Sequence, residues 1–530
     1  MKQLLLTYFL SLYIIVNGGN PYFIQFTHKN DAQTFRPEEY FDPKAIENKK
    51  ALNLPLYDWY DLPVIPEFIQ EVKSKSDSLG YTLRWFNGVT AYLSIDQLNE
   101  IQQLSFVQSV SPWLKREIVA TSLLDSLGEE VVKNFEVFNW QLNTMGGNVF
   151  KSKGLNGSGI RIGVVDVGFS GLKKNKQLSH LFNGQLKDAW DFALNKPLKY
   201  QGFSNHGTTV SSFIFGKFDT IYVGHAPQAE ALFAKMNSPG KKDAVIEEAW
   251  LKSIEWCHQK GAQLVNSSVG YIGKAYKHDM LTGDVCKMSV AGNLAARKGM
   301  LIINSAGNER LTKWKRLSFP ADADSILTVG AIDCETGVQS DFSSLGPTKD
   351  LRVKPNVTAI GNPTWYDGYR LKEVFGTSFS CPLVTGFTAC ILQNNSSLHP
   401  MDLIDTLQKS SSLYPYYDYV HGYGVPRATL YFGIDSVFRG APSIELEKSP
   451  SYLQEAYYTF KYLSNEGTQI FYQILDQKGY IKEYYVVRFG EDSKTGEDYG
   501  ESPKLYVKNV DKGDKIRVFH RGTFIEKELK

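Results

Sequence analysis

An α/β fold built on a parallel sheet is what the middle of this sequence predicts, with a small α+β unit ahead of it and a β-sandwich-like unit behind. Three patterns carry that prediction. From Gly159 onward, short apolar runs alternate with helical periodicity. Between Tyr22 and Val110 strands and helices follow each other over a much shorter stretch. From about Ala441, strand-like runs succeed one another across polar turns. Short apolar runs separated by helices mark strands buried on both faces of a sheet, whereas alternating runs between turns mark an all-β unit.

In the first unit, Tyr22–Phe26 reads as a strand, followed by a polar, Pro-containing stretch and a helix-like segment around Pro66–Ser78. Tyr81–Leu93 reads as a strand pair, Ile95–Leu104 as an amphipathic stretch and Phe106–Val110 as a strand. The segment from Glu117 to about Gly154 is polar and less periodic, as a connection would be. In the central unit, Ile160–Val165, Ala231–Lys235, Gln263–Val265, Leu301–Asn304 and Ile326–Ala331 read as strands. A helix falls over Ala244–Lys260, where Val245, Ala249, Trp250, Ile254 and Cys257 recur at helical spacing, and another at about Val290–Lys298. In the last unit, Tyr457–Tyr462, Gln469–Ile474, Glu483–Arg488, Leu505–Val507 and Lys515–Phe519 read as strands, with their tyrosines as core and edge residues.

Composition excludes several classes. A chain of 530 residues exceeds one ordinary core. Its 42% hydrophobic and 22% charged residues, with only 21 prolines, describe a folded chain and not a fibrous one. A formal net charge of +2 without a long basic block gives no footing for nucleic acid or an anionic membrane. The N-terminus differs from the rest: Lys2, then the 13-residue apolar run Leu4–Val16, then Asn17-Gly18-Gly19. That run is short for a bilayer and fits a cleaved signal peptide, and no later run approaches the ~20 apolar residues of a membrane span. The prediction is an exported protein, secreted, periplasmic or on the cell surface, with no membrane span once mature. Five cysteines make no disulfide framework in a chain this long. Cys257, Cys381 and Cys390 lie in apolar helical patterns, as buried thiols do, and a bond between Cys286 and Cys334 stays open.

Four short segments place chemistry where strands of the parallel sheet end or helices begin, the place where open α/β sheets form their sites. Asp166 directly follows the strand Ile160–Val165; a carboxylate there needs partners to stay charged. His206 sits in Ser204-Asn205-His206-Gly207-Thr208, where glycine permits close backbone approach. Asn308 ends Asn304-Ser305-Ala306-Gly307-Asn308 just past an apolar strand, able to donate an amide N–H to a developing oxyanion. Ser378 lies in Gly376-Thr377-Ser378-Phe379-Ser380-Cys381-Pro382, which leads into apolar helical residues. Proline is tolerated in the first turn of a helix, which puts Ser378 at a helix N-terminus, where backbone N–H groups favour negative charge. Taken singly, each residue has an ordinary structural role as a turn, cap or core residue.

Taken together, in the order Asp, His, Asn, Ser, they resemble the subtilisin family of serine peptidases and not the chymotrypsin or α/β-hydrolase order. The supporting strings include Gly163-Val164-Val165-Asp166-Val167-Gly168, Gly224-His225-Ala226-Pro227, Val265-Asn266-Ser267-Ser268-Val269-Gly270, Phe319-Pro320-Ala321, Phe342–Pro347 and Gly422-Tyr423-Gly424-Val425, and span about Gly159 to Pro426. Against the family pattern, Val167 replaces a Ser or Thr, Thr209 a second His, and Phe379-Ser380 a Met-Ala pair. None of these removes a catalytic group.

The resemblance implies a catalytic triad of Asp166, His206 and Ser378, with an oxyanion hole from the Asn308 side chain and the Ser378 backbone N–H. It implies that an extended peptide lies against Ser268-Val269-Gly270 and Ser305-Ala306-Gly307. It further implies the organisation: residues 1–18 a signal peptide, 19–118 an inhibitory propeptide-like domain, 119–148 a connecting segment, 149–440 the peptidase domain and 441–530 the β domain. The partners expected are protein or peptide substrates and the chain's own propeptide as an intramolecular inhibitor, with self-cleavage between about Pro112 and Asn148. No cofactor is required for this chemistry. Calcium is common in the family, and no ligand loop for it is assigned here. The alternative reading is a subtilase-fold binding or scaffold protein without turnover.

Overall fold

The computed structural model describes residues 19–113, 117–119, 136–435 and 444–529, apart from 31, 239–242, 274–275, 369, 450–456, 463–467, 490–503, 507–509 and 521. The expected signal peptide lies outside the described residues. The chain forms two compact units, one of residues up to Phe35 with Tyr57–Leu114, the other of Arg36–Leu56 with Lys115–Lys530.

In chain order the N-terminal part contains strand β1 (Asn20–Phe26), helices α1 (Pro37–Tyr40), α2 (Pro43–Ala51) and α3 (Pro66–Ser74), strands β2 (Ser78–Leu83) and β3 (Gly88–Leu93), helix α4 (Ile95–Gln102) and strand β4 (Val107–Pro112). The four strands make an antiparallel sheet in the order β2-β3-β1-β4. Ile24, Phe26, Val89, Ala91 and Leu93 turn from it onto Val72 of α3 and Ile101 of α4. Ser94 and Gln97 start α4 by a reciprocal capping box, which satisfies two backbone N–H groups that a helix start leaves unpaired. Helices α1 and α2 do not join this unit; they belong to the second one.

The second unit continues with β5 (Glu117–Val119), α5 (Glu136–Asn143), α6 (Gly147–Ser152), β6 (Arg161–Asp166), β7 (Leu186–Asp191), β8 (Lys196–Pro197), α7 (His206–Phe215) and a two-stranded ribbon of β9 (Lys217–Phe218) and β10 (Ile221–Tyr222). Then come β11 (Glu230–Lys235), α8 (Asp243–Gln259), β12 (Leu264–Ser267), β13 (Gly270–Ile272), α9 (Lys287–Arg297), β14 (Leu301–Ser305), β15 (Leu327–Ile332) and β16 (Val357–Ile360). A hairpin of β17 (Thr364–Tyr366) and β18 (Leu371–Glu373) leads to α10 (Thr377–Asn394) and α11 (Pro400–Lys409).

The central sheet runs β16-β15-β14-β12-β6-β11-β7-β8, parallel except for β8. Every residue of β6, β12, β14, β15 and β16 is buried, so both faces are covered. Helix α10 lies against α7 and against β12, β14, β15 and β16, while α8 and α9 pack on each other and on β6, β11 and β14. The chain moves from β6 to one side and later returns on the other, as β12. The carboxyl ends of β6, β12 and β14 therefore flank a switch point, where such sheets open a crevice.

Two features differ from the sequence reading, and a third settles a point that it left open. The connecting segment 119–148 carries structure from Glu136 on: Phe138 and Leu142 of α5, with Met145 and Phe150, enter the main core. Pro382 is not in the first turn of α10 but inside the helix. A proline there supplies no N–H for the carbonyl four residues back, which is that of Ser378; Ser378 itself still lies in the first turn. Cys286 and Cys334 are not bonded, and all five cysteines are free. Cys286 Sγ lies 3.3 Å from the Tyr276 hydroxyl, and Cys334 Sγ accepts from Asn362 Nδ2 at 3.1 Å.

After α11 the chain forms two further sheets. One holds β19 (Ile444–Ser449), β20 (Tyr457–Tyr462) and β23 (Lys504–Tyr506); the other holds β21 (Thr468–Leu475), β22 (Ile481–Phe489), β24 (Lys515–His520) and β25 (Thr523–Glu528). The second has its own core of Ile470, Tyr472, Ile474, Ile516 and Val518. Phe471 and Phe519 turn away from that core to cluster with Leu413 and Tyr416, which follow α11. Both rings lie 6.1 Å from that of Tyr416.

One buried cation makes stability depend on pH. Lys354 is buried, its Nζ donating to the Ile326 carbonyl at 2.5 Å and to Asn356 Oδ1 at 3.0 Å. Burial first, then the Arg352 charge, pushes its ammonium down from the ordinary 10.5 to about 7. Between those values the native chain holds fewer protons here than the unfolded chain, so stability rises with pH across that window. We expect the unfolding midpoint of the Ser378→Ala chain to rise between pH 7 and pH 9, and Lys354→Met to remove that part of the rise. Parallel midpoints within error at both pH values would refute it.

Candidate active site

Asp166 ends β6 and is fully buried, with no polar solvent to share its charge. Its partners come from the chain. Both carboxylate oxygens lie 2.9 Å from His206 Nδ1, and Oδ1 also accepts from the Val167 N–H at 2.7 Å. A buried carboxylate paired in this way fixes the imidazole with its proton on Nδ1 and its acceptor lone pair on Nε2.

His206 opens α7, with its N–H bonded to Ser204 Oγ at 3.2 Å. The following Gly207 is dictated by space. Its N–H donates to the Gly168 carbonyl at 2.8 Å, and a Cβ there would stand 2.7 Å from the Phe169 ring. The ring of Phe379, one residue past Ser378, lies 5.7 Å from the imidazole. His206 Nε2 is buried and has no hydrogen-bond partner among the described residues.

Ser378 is the second residue of α10, and its Oγ donates to the Ser268 carbonyl at 3.0 Å. Its backbone N–H belongs to the first helical turn, where donors have no partner within the helix. Next to it, the Thr377 N–H and hydroxyl both donate to Asn308 Oδ1, at 2.9 and 2.8 Å. Asn308 is thus clamped by its oxygen, which aims the amide by way of the residue preceding the serine. Thr377 is the positioning group that sequence reasoning did not single out; its place beside the serine was the signal.

The structure therefore joins Asp166 directly to His206, sets His206 against the residue after Ser378, and ties Asn308 to the residue before it. The six substrate-lining residues divide into two groups. Ser268 and Val269 lead from β12 into β13, whose Gly270, Tyr271 and Ile272 pair antiparallel with Val119, Ile118 and Glu117 of β5. That edge accepts an extended chain. Ser305, Ala306 and Gly307 do not offer one. The Ala306 N–H donates to Val329, its carbonyl accepts from Ser318, and Gly307 bonds to Thr377 Oγ1 and to the Ser344 N–H. With both Ala306 backbone groups engaged inside the fold, this stretch can wall a pocket but cannot form a ladder with a peptide. The sequence reading missed β5 altogether.

A second histidine near these elements is chemically silent. His225 is buried between Phe150 and Phe387, and burial pushes its imidazole down to about 3, so it stays neutral. Among the described residues no helix is long and apolar enough to cross a membrane.

A parallel sheet with a buried carboxylate–imidazole pair and a serine at a helix start is the framework of a subtilisin-type serine peptidase. Comparison with known proteins agrees. The subtilase family profile matches residues 157–424, and the profile of the peptidase S8 propeptide domain of Bacteroidota matches residues 21–123. The chain belongs to the subtilase family of serine peptidases and carries its propeptide domain. It is 24% identical over 378 residues to M-protease of Shouchella clausii, an alignment covering 69% of this chain and 88% of that protein. It is 25% identical over 274 residues to subtilisin BL of Lederbergia lenta, covering 52% and 91%. In fold it is similar to fervidolysin of Fervidobacterium pennivorans, a keratinolytic enzyme related to subtilisin, with a TM-score of 0.53, 15% identity and coverage of 96% and 90%. It is also similar to the epidermin leader peptide processing serine protease of Staphylococcus aureus, with a TM-score of 0.54, 17% identity and coverage of 79% and 100%.

Proposed function

We propose that this protein is a secreted serine endopeptidase, made as a zymogen that cuts its own propeptide and then cleaves protein substrates through an acyl-enzyme. The observation that carries this is the buried Asp166–His206 pair, its imidazole 5.7 Å from the ring of the residue after the helix-start Ser378, with Asn308 clamped to the residue before that serine. Ser378 is the nucleophile, His206 the base and then the acid, and Asp166 the group that holds the imidazole and stabilises its cation. In the resting arrangement the Ser378 hydroxyl points to Ser268. Catalysis needs it to turn to His206 Nε2, a buried acceptor with no partner among the described residues. The Asn308 amide and the Ser378 N–H then receive the oxyanion. This chemistry draws on side chains and backbone alone.

Covalent labelling by a fluorophosphonate, lost in Ser378→Ala, tests the reading. Fully processed protein that takes no label would mark a scaffold without turnover. Asn308→Leu is expected to lower kcat about 10²–10³-fold, the size found where such an oxyanion donor is removed, with KM little changed. A peptide-substrate assay checks this, and a loss below threefold would reject Asn308 as an oxyanion donor.

The pairing of β5 with β13 bears on the self-cut. Val119 is opposite Gly270, and Ser268, whose carbonyl receives the Ser378 hydroxyl, stands two places before Gly270, so the cut is expected two places after Val119. The predicted scissile bond is Thr121–Ser122, and N-terminal sequencing of the mature enzyme is expected to begin at Ser122. A mature chain starting beyond 130, or an identical N-terminus in Ser378→Ala, would contradict this.

A further inference from the structure

Residues 36–56 lie within the propeptide match, yet they pack as part of the catalytic unit, while the stretches on either side of them do not. Their contacts are specific. Asp42 caps α2 through the Lys44 N–H and pairs with Arg161 Nη1 at 2.9 Å, while its own N–H donates to the Gln259 carbonyl at 2.9 Å. Gln259 Nε2 returns a bond to the Tyr40 carbonyl at 2.9 Å, and Asn48 Nδ2 donates to the Gly261 carbonyl at 2.9 Å. Phe41 is 3% exposed and stands edge-on to His258 at 5.3 Å. Gly261 has a φ of +75°, and a Cβ there would stand 2.5 Å from the Ala45 nitrogen, so the receiving surface is shaped to this segment.

The location is as informative as the contacts. Arg161 begins β6, and Gly261 precedes β12; both lie at the amino ends of the parallel strands. Asp166 and Ser268 lie at the carboxyl ends. At about 3.3 Å per residue, Arg161 and Asp166 are about 16 Å apart along β6. A segment bound at that end cannot obstruct Ser378, so its contacts contribute retention and not blockage.

We propose that residues 36–56 are a rear clamp, an attachment at the amino ends of the parallel strands and remote from Ser378, that adds to the hold of the cleaved propeptide on the enzyme after the self-cut. This rests on the zymogen reading above. A tail paired with β13 and a clamp at the far end of the sheet are two attachments on one fragment, and the second acts at high effective concentration once the first is made. Two attachments of this kind strengthen retention by about 10²–10⁴-fold over one.

The test needs no peptidase activity, so its failure is separable from failure of the zymogen reading. The full Ser378→Ala chain, with a recognition sequence for a site-specific protease inserted after Gly128, is cut by that protease, and the two fragments are followed by size-exclusion chromatography and by dissociation rate. With the clamp intact we expect the fragments to co-elute. Phe41→Ala with Asp42→Asn, which keeps a capping side chain at position 42, is expected to speed dissociation at least 100-fold. Asn48→Ala, which leaves the rest of the clamp in place, is expected to speed it about fivefold, the loss of one hydrogen bond. Lys50→Ala, an exposed position on the same helix, should leave it unchanged. Thermal unfolding before the cut identifies any variant that has not folded; for such a variant, Asn48→Ala decides. Equal dissociation rates across the clamp variants, or immediate separation with the clamp intact, would overturn the proposal.

Discussion

Ser378→Ala is expected to lower turnover on a peptide substrate by about 10⁶-fold, the size of effect found when a subtilisin-type nucleophile is removed. The physical reason is that no other group can form the acyl intermediate at this position. Ser380 Oγ, the next hydroxyl along α10, donates to the Ile360 carbonyl, and Thr377 Oγ1, one residue before the nucleophile, is committed to Asn308. What remains is the environment: the Asn308 amide, the helix-start N–H and the β13 edge, which still bind a peptide. The variant should therefore keep substrate affinity while losing turnover and self-cleavage together. Intact mass of the purified chain reads the processing, and a chromogenic peptide reads the rate. Residual activity within 100-fold of wild type would mean that another residue is the nucleophile.

Asp166→Asn should cost about 10⁴-fold in kcat with little change in KM, on the pattern of this substitution in Ser–His–Asp enzymes. Both Asp166 oxygens face His206 Nδ1, and one also takes the Val167 N–H. An asparagine keeps one acceptor for Val167 and turns its NH₂ toward the imidazole. The ring then accepts at Nδ1 and carries its proton on Nε2, where it can no longer take one from Ser378. The measurement is kcat of the mature fragment, opened at the engineered site and freed from its N-terminal fragment. A loss below tenfold would show that Asp166 does not set the tautomer.

The sequence made the central sheet legible because its strands are buried on both faces and so leave continuous apolar runs: Ile160–Val165 and Leu301–Asn304 could hardly be anything else. Asp166, His206, Asn308 and Ser378 were legible because each ends or begins such an element inside a distinctive string. What stayed hidden has physical reasons. Strand β5 is three residues long and is held by backbone pairing with β13, which leaves little trace in side-chain pattern. The 36–56 segment does have a helical spacing of buried positions, Phe41, Ala45, Lys49 and Leu52, but a buried lysine breaks the apolar signal. Its ammonium sits 4.9 Å over the Phe41 ring, a contact that only the fold reveals. Ser305–Gly307 have the small residues of a peptide-binding edge, and only the hydrogen bonds of Ala306 show that this stretch is already occupied.

The packing of Phe471 and Phe519 on Leu413 and Tyr416 has a practical meaning for anyone trimming this enzyme. A version ending near residue 440, the natural choice for a minimal catalyst, would uncover a ring and an alkyl side chain that are 0% and 5% exposed in the full chain. Newly wetted aromatic surface of that kind promotes self-association. The tail is better regarded as a lid on a greasy patch than as a removable appendage, and shortened forms would need polar replacements at both positions to remain in solution.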